Sequence, residues 1–76
     1  MKELLETIIK NLVSDESAVS VNQIDGEKSI IFEVRVAQND MGKVIGKEGR
    51  IAKAIRTIMK SLATKEDKRI TVEFID

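Results

Sequence analysis

Between Val44 and Ile51 the chain reads Val-Ile-Gly-Lys-Glu-Gly-Arg-Ile, two glycines framing two charged residues behind an apolar pair. Glycine has no Cβ, so this pair lets the backbone turn sharply and approach a partner closely. Gly49 falls where an amphipathic segment begins. The start of a helix offers free N–H groups and the positive end of its dipole. Lys43, Lys47 and Arg50 ring that point with positive charge, and Lys53 follows one turn later. Backbone donors, close access and cations together suit a sugar-phosphate backbone. Arg50 opposes the helix dipole, and a residue that breaks a local rule points to function, so a phosphate contact is expected there. Lys47, at the tip, is the first candidate for a direct phosphate contact. Ile45 and Ile51 are expected to floor the site beneath the bases, with burial in the core as the plain alternative. Glu48 is expected to point away, or to accept a hydrogen bond from a base or a 2′-OH.

These residues need elements to position them. Leu4, Leu5, Ile8, Ile9, Leu12 and Val13 form one apolar stripe, which predicts a helix over 2–13. A strand is expected from Ala18 to Ile24, with Asp25-Gly26 as a two-residue hairpin turn. The returning strand, about 28–37, points Ile30, Phe32, Val34 and Val36 to one face and Ser29, Ile31, Glu33, Arg35 and Ala37 to the other. Asn39-Asp40 can cap a short helix over Met41–Ile45 that Gly46 stops. A longer helix is expected over 49–63, with Ile51, Ile55, Ile58, Met59 and Leu62 as its apolar stripe. After a polar loop from Thr64 to Lys68, Ile70, Val72 and Phe74 alternate as a final strand. The crossover through two helices makes the last two strands parallel if adjacent. The expectation is an α+β domain in the order α-β-β-α-α-β, a three-stranded mixed sheet with three helices on one face and a wet outer face.

Composition narrows the chemistry. The 76 residues make one small domain, 1–76, with no proline, repeat or low-complexity tract. Without cysteine or histidine there is no disulfide, no histidine acid–base chemistry and no expected structural metal or cofactor. No apolar run reaches the length of a membrane span and no signal segment opens the chain, so a cytoplasmic protein without membrane contact is expected. The formal net charge is zero, yet residues 1–40 carry −4 and residues 41–76 carry +4. Lys43, Lys47, Arg50, Lys53, Arg56 and Lys60 cluster with Glu48 the only acid between 41 and 60. A charge stripe alone is usually a solvated helix face; beside the two glycines it reads as a cationic binding face.

With this order and this loop the chain resembles a type II KH domain, whose Gly-x-x-Gly loop clamps about four nucleotides. The run from Asp40 to Thr57 extends the likeness to the small bacterial single-KH RNA-binding proteins of the KhpA type, and the likeness covers the whole chain. Ser14 to Ala18 departs from it, since relatives often carry a proline there. The resemblance implies single-stranded RNA as the partner and a Gly-x-x-Gly site made of Lys43, Ile45, Gly46, Lys47, Glu48, Gly49, Arg50, Ile51 and Lys53. It also implies self-pairing or pairing with a larger Jag-type KH protein, and a role as post-transcriptional regulator or RNA chaperone. Phe32 and Phe74 fall on the core side of the sheet, so stacking of bases on rings is not expected.

Two other readings compete with this one. Gly42-x-x-x-Gly46-Lys47 faintly resembles a nucleotide-binding phosphate loop, but that loop needs four residues between its glycines and Ser or Thr after the lysine. Three stand here and Glu48 follows. Asp15-Glu16 and Glu66-Asp67 lack a base or metal partner and read as solvated caps, so neither an enzyme nor a small-molecule substrate is expected. The stronger rival is a protein-interaction module whose long helix, with Ala52, Ala54, Ala63 and its apolar Ile and Met residues, packs on a second copy or a second KH protein.

Overall fold

The computed structural model describes residues 1–63 and 67–75. Helix α1 (Lys2–Leu12) leads through a short 3-10 turn to strands β1 (Ser20–Asp25) and β2 (Ser29–Arg35). Helices α2 (Met41–Ile45) and α3 (Arg50–Leu62) follow, and strand β3 (Arg69–Ile75) closes the fold. The sheet order is β1-β2-β3, with β1 antiparallel to β2 and β2 parallel to β3. The α-β-β-α-α-β order and the mixed sheet are those expected from the sequence.

Alternation fixes which side of the sheet is covered. Ile30, Phe32 and Val34 of β2 are buried, as are Val21 of β1 and Ile70 and Val72 of β3. They form one core with Leu5 and Ile9 of α1, Val44 of α2, and Ile55 and Met59 of α3. A fully buried aliphatic side chain contributes about 1.5–3 kcal/mol, so this layer, which takes all three helices, dominates stability.

Several expectations require correction. β1 begins at Ser20, because residues 16–18 form a 3-10 turn whose preceding Asp15 side chain accepts from the Ser17 N–H. The hairpin turn is not Asp25-Gly26. Asp25 still pairs with Ile30, and the Gly26 N–H donates to the Ser29 carbonyl at 2.7 Å, leaving Glu27 and Lys28 as the turn. Neither Asp25 nor Gly26 has positive φ. A shift of two residues preserves the side-chain period, so the core face is unchanged. On α3, Ile58 and Leu62 are 44% and 43% exposed, while Ala52, Ile55 and Met59 are buried, as is Ala63 just past the helix end. The buried side of the helix is thus Ala52, Ile55 and Met59, and its apolar stripe runs partly outward. Thr64, Lys65 and Glu66 lie outside the described residues, and with them most of the expected polar loop and half of the Glu66-Asp67 pair.

Asp40 also departs from its expected role. It makes no side-chain cap on α2. Its carboxylate, only 1% exposed, accepts from the Ser14 N–H at 3.1 Å and the Asp15 N–H at 3.0 Å. Lys43 lies 3.3 Å from the same carboxylate and donates to the Ser14 hydroxyl. This clamp ties the start of α2 to the chain leaving α1. The backbone hydrogen bonds from Asp15 and Ser14 hold the Asp40 carboxyl below its ordinary value, with Lys43 adding to them. A group whose pKa falls on folding contributes stability above its unfolded pKa, near 3.9, and loses it as pH drops through the lower folded value. Thermal melts from pH 6 to pH 2 should therefore show a loss below about pH 4. Asp40→Asn, which cannot present two anionic acceptor oxygens, should melt lower at neutral pH and show a flatter acid limb.

Candidate nucleic-acid interface

The five-residue α2 ends at Gly46, whose φ of 78° and ψ of 174° lie in a region essentially restricted to glycine. A second constraint is steric. A Cβ on Gly46 would stand 2.6 Å from Ile51 Cγ1 and 2.9 Å from the Ile51 backbone nitrogen. The missing side chain is what lets α3 start directly against the end of α2. Gly49 is different. Its φ of 74° and ψ of 15° are left-handed, but a Cβ there would meet nothing within 4 Å. The space in front of Gly49 is open.

Between them Glu48 also takes the left-handed conformation, with φ 58° and ψ 24°. That is uncommon for a non-glycine residue and costs about 1 kcal/mol or more. Its carboxylate lies 3.7 Å from an Arg50 guanidinium nitrogen, with both side chains largely exposed. An exposed pair of this kind is worth little and is readily exchanged for a stronger anion. No side chain caps the start of α3. The outcome is a helix N-terminus facing open space, with exposed Lys47, Arg50 and Lys53 around it.

The remaining site residues fall into two groups. Ile45 and Ile51 are half-buried and packed against the core from either side of the turn, with an exposed portion left to each. Lys43 is turned toward Asp40 and Ser14, so its charge is shared with the clamp behind the turn. Arg56, which the sequence marks only as one base of a stripe, has a defined place. Its Nε donates to the Val72 carbonyl at 3.2 Å and its guanidinium lies 5.5 Å from the centre of the Phe74 ring. It joins α3 to β3 and covers the one half-exposed aromatic ring, leaving it no free face on that side. The i, i+3 spacing from Lys53 is the only sequence signal for this position. Among the described residues no group of three or more Asp, Glu, His or Cys is placed to hold a metal, and no helix is long and apolar enough to cross a membrane.

Comparison with known proteins identifies the family. Residues 2–74 match the family model described as KhpA/KhpB, KH domain. The chain belongs to the KhpA/KhpB family of KH domains. It is 61% identical over 75 residues to the RNA-binding protein KhpA of Clostridium acetobutylicum, covering 99% of this chain and all of that one. Identity is 60%, with the same coverage, to the RNA-binding protein KhpA of Caldanaerobacter subterraneus subsp. tengcongensis. To that of Aquifex aeolicus it is 42% over all of this chain and 96% of the other. No solved structure matches the chain. The Gly46–Gly49 turn lies within the matched residues, and the family is one of KH domains rather than of enzymes.

The two glycines make separable predictions. Gly46→Ala, facing both strain and the Ile51 contact, should lose about 2–4 kcal/mol in chemical denaturation. Gly49→Ala should lose only about 1–2 kcal/mol, the cost of left-handed backbone alone.

Proposed function

We propose that this protein binds short single-stranded RNA, clamping the sugar-phosphate backbone at the Gly46–Gly49 turn. One observation carries the reading: the start of α3 is uncapped by any side chain, opens past Gly49 into free space, and is ringed by unburied cations. The relatives' name, RNA-binding protein KhpA, supports RNA as the ligand. In this reading Lys47 and Arg50 meet phosphates, Arg50 exchanging Glu48 for the strand, and Lys53 follows the backbone along α3. The Gly49 and Arg50 N–H groups donate to the Gly46 and Lys47 carbonyls within the turn, so phosphate oxygens are met by the side-chain cations and the positive end of the α3 dipole. Ile45 and Ile51 give the bases an aliphatic floor, and Lys43 contributes through the field of the turn. Without ring stacking, affinity for one domain is weak to moderate. The protein then acts in the cytoplasm as a post-transcriptional regulator or RNA chaperone.

The test is fluorescence anisotropy with labelled single-stranded RNA at two salt concentrations. Wild type should bind with a salt-dependent affinity, and Lys47→Asp combined with Glu48→Asp should lose about tenfold or more while its circular dichroism is unchanged. Equal binding by both proteins would refute the clamp.

A second reading has its own observation. Ile58 and Leu62, one turn apart on α3, are both more than two-fifths exposed. We propose that this strip pairs the domain with a second copy or with a Jag-type KH protein, lengthening the RNA footprint by avidity. Sedimentation at micromolar concentration should give about twice the 8.5 kDa monomer mass, and Ile58→Glu with Leu62→Glu should return it to monomer. A wild-type monomer would remove the homodimer, leaving the mixed pair to be tested by adding the partner.

A further inference from the structure

At the end of α3 remote from the glycine turn, the surface holds an open hollow of about 650 Å³ whose lining includes Lys28, Lys60, Lys68, Arg69 and Asp67. The cations come from three places: the β1–β2 turn, the last turn of α3 and the opening of β3. The frame is held by the Arg69 N–H, which donates to the Lys28 carbonyl at 3.0 Å and fixes the start of β3 against the hairpin. None of these four cations forms an ion pair with another described residue. Lys60 has an ordinary reason to be there, since a cation suits a helix C-terminus. Lys28, Lys68 and Arg69 do not, because none of them lies on a helix. A protein of zero net charge therefore gathers four cations around one concavity with a single described acid beside them.

The hollow is joined to the glycine turn by the helix itself. Lys53, Arg56 and Lys60 recur at three- and four-residue spacing along one flank of α3, so they share a side of the helix. Arg56 places that flank at β3 through its bond to Val72. From Arg50 to Lys60 the helix rises about 15 Å, more than the turn alone can span. We propose that the hollow is a second phosphate-binding site, which holds the same RNA strand beyond the nucleotides clamped at Gly46–Gly49. This rests on the RNA-binding reading above. The negative end of α3 disfavours an anion at its carbonyls, so the phosphate is met by the charged ends of the Lys60 and Lys68 side chains rather than by the helix backbone.

Oligouridylates of four and twelve nucleotides separate the two sites, because the shorter fills the turn and only the longer reaches the hollow. Each is titrated into wild type and into Lys60→Gln with Lys68→Gln, with circular dichroism and sedimentation confirming an unchanged fold and mass. The variant should bind the tetramer within about twofold of wild type, and the dodecamer about tenfold more weakly. Its salt slope for the dodecamer should fall by about 1.4, because two fewer phosphates of a single strand are neutralised. Dodecamer affinity equal to wild type, or an equal loss on both oligomers, overturns the second site while leaving the turn in place. Failure of wild type to bind either oligomer overturns the RNA reading and this inference together.

Discussion

The architecture of the binding face depends on one close approach. Gly46 ends α2 with its Cα against Ile51, where any side chain would collide with both the isoleucine branch and the α3 backbone. That contact sets how abruptly α2 gives way to α3, and so where the N-terminus of α3 points. Everything the site offers follows from the direction of that terminus: the positive end of the helix dipole, the open space at Gly49 and the ring of cations. Glu48 is held in left-handed backbone by the same geometry. Its strain is the cost of reversing direction within three residues, and its exposed pairing with Arg50 returns little of it.

A second interaction holds the turn in place from behind. Helix α2 has five residues, too few to be stable alone, and only Val44 anchors it fully in the core. The Asp40 carboxylate supplies what packing does not, accepting two backbone hydrogen bonds from the segment after α1. A buried carboxylate is tolerated because its oxygens are satisfied by donors that would otherwise be unpaired at the exit of that helix. Lys43 closes the arrangement, which explains why a lysine beside the glycine turn pairs with Asp40 and Ser14 while staying at the surface. The platform is thus fastened at two points: apolar packing through Val44 and a charged hydrogen-bonded clamp through Asp40.

How much of this could be read from residues alone follows a physical rule. Features set by neighbours in sequence were legible. The alternation at Ile30, Phe32 and Val34, the α1 stripe, and Gly46 as a helix stop all depend on spacing within a few residues. Features set by contact across the fold were not. Asp40 sits where an N-cap belongs, and its true partners are 25 and 26 residues away. Arg56 is one base among six until β3 brings Val72 and Phe74 beneath it. On α3, periodicity marks which residues are apolar, not how far the helix is rolled on the sheet. The buried side runs through Ala52, Ile55 and Met59 and leaves Ile58 and Leu62 half out. The hairpin moved by two residues because the Gly26–Ser29 hydrogen bond adds a rung that turn propensity alone does not reveal. Among the site residues, the glycines and flanking cations were legible as a set. The different reasons for Gly46 and Gly49 were not.

The central claim is that RNA meets the start of α3 at the glycine turn. Amide chemical-shift mapping by NMR during titration with a short single-stranded RNA tests it most directly, because it reports on each backbone N–H separately. The account predicts the largest perturbations from Gly46 through Lys53, with little change at Asn22, Glu33 and Glu73 on the uncovered sheet face. Perturbations centred on that sheet face, or on Ile58 and Leu62, with the amides of Gly46 to Lys53 unmoved, would contradict it.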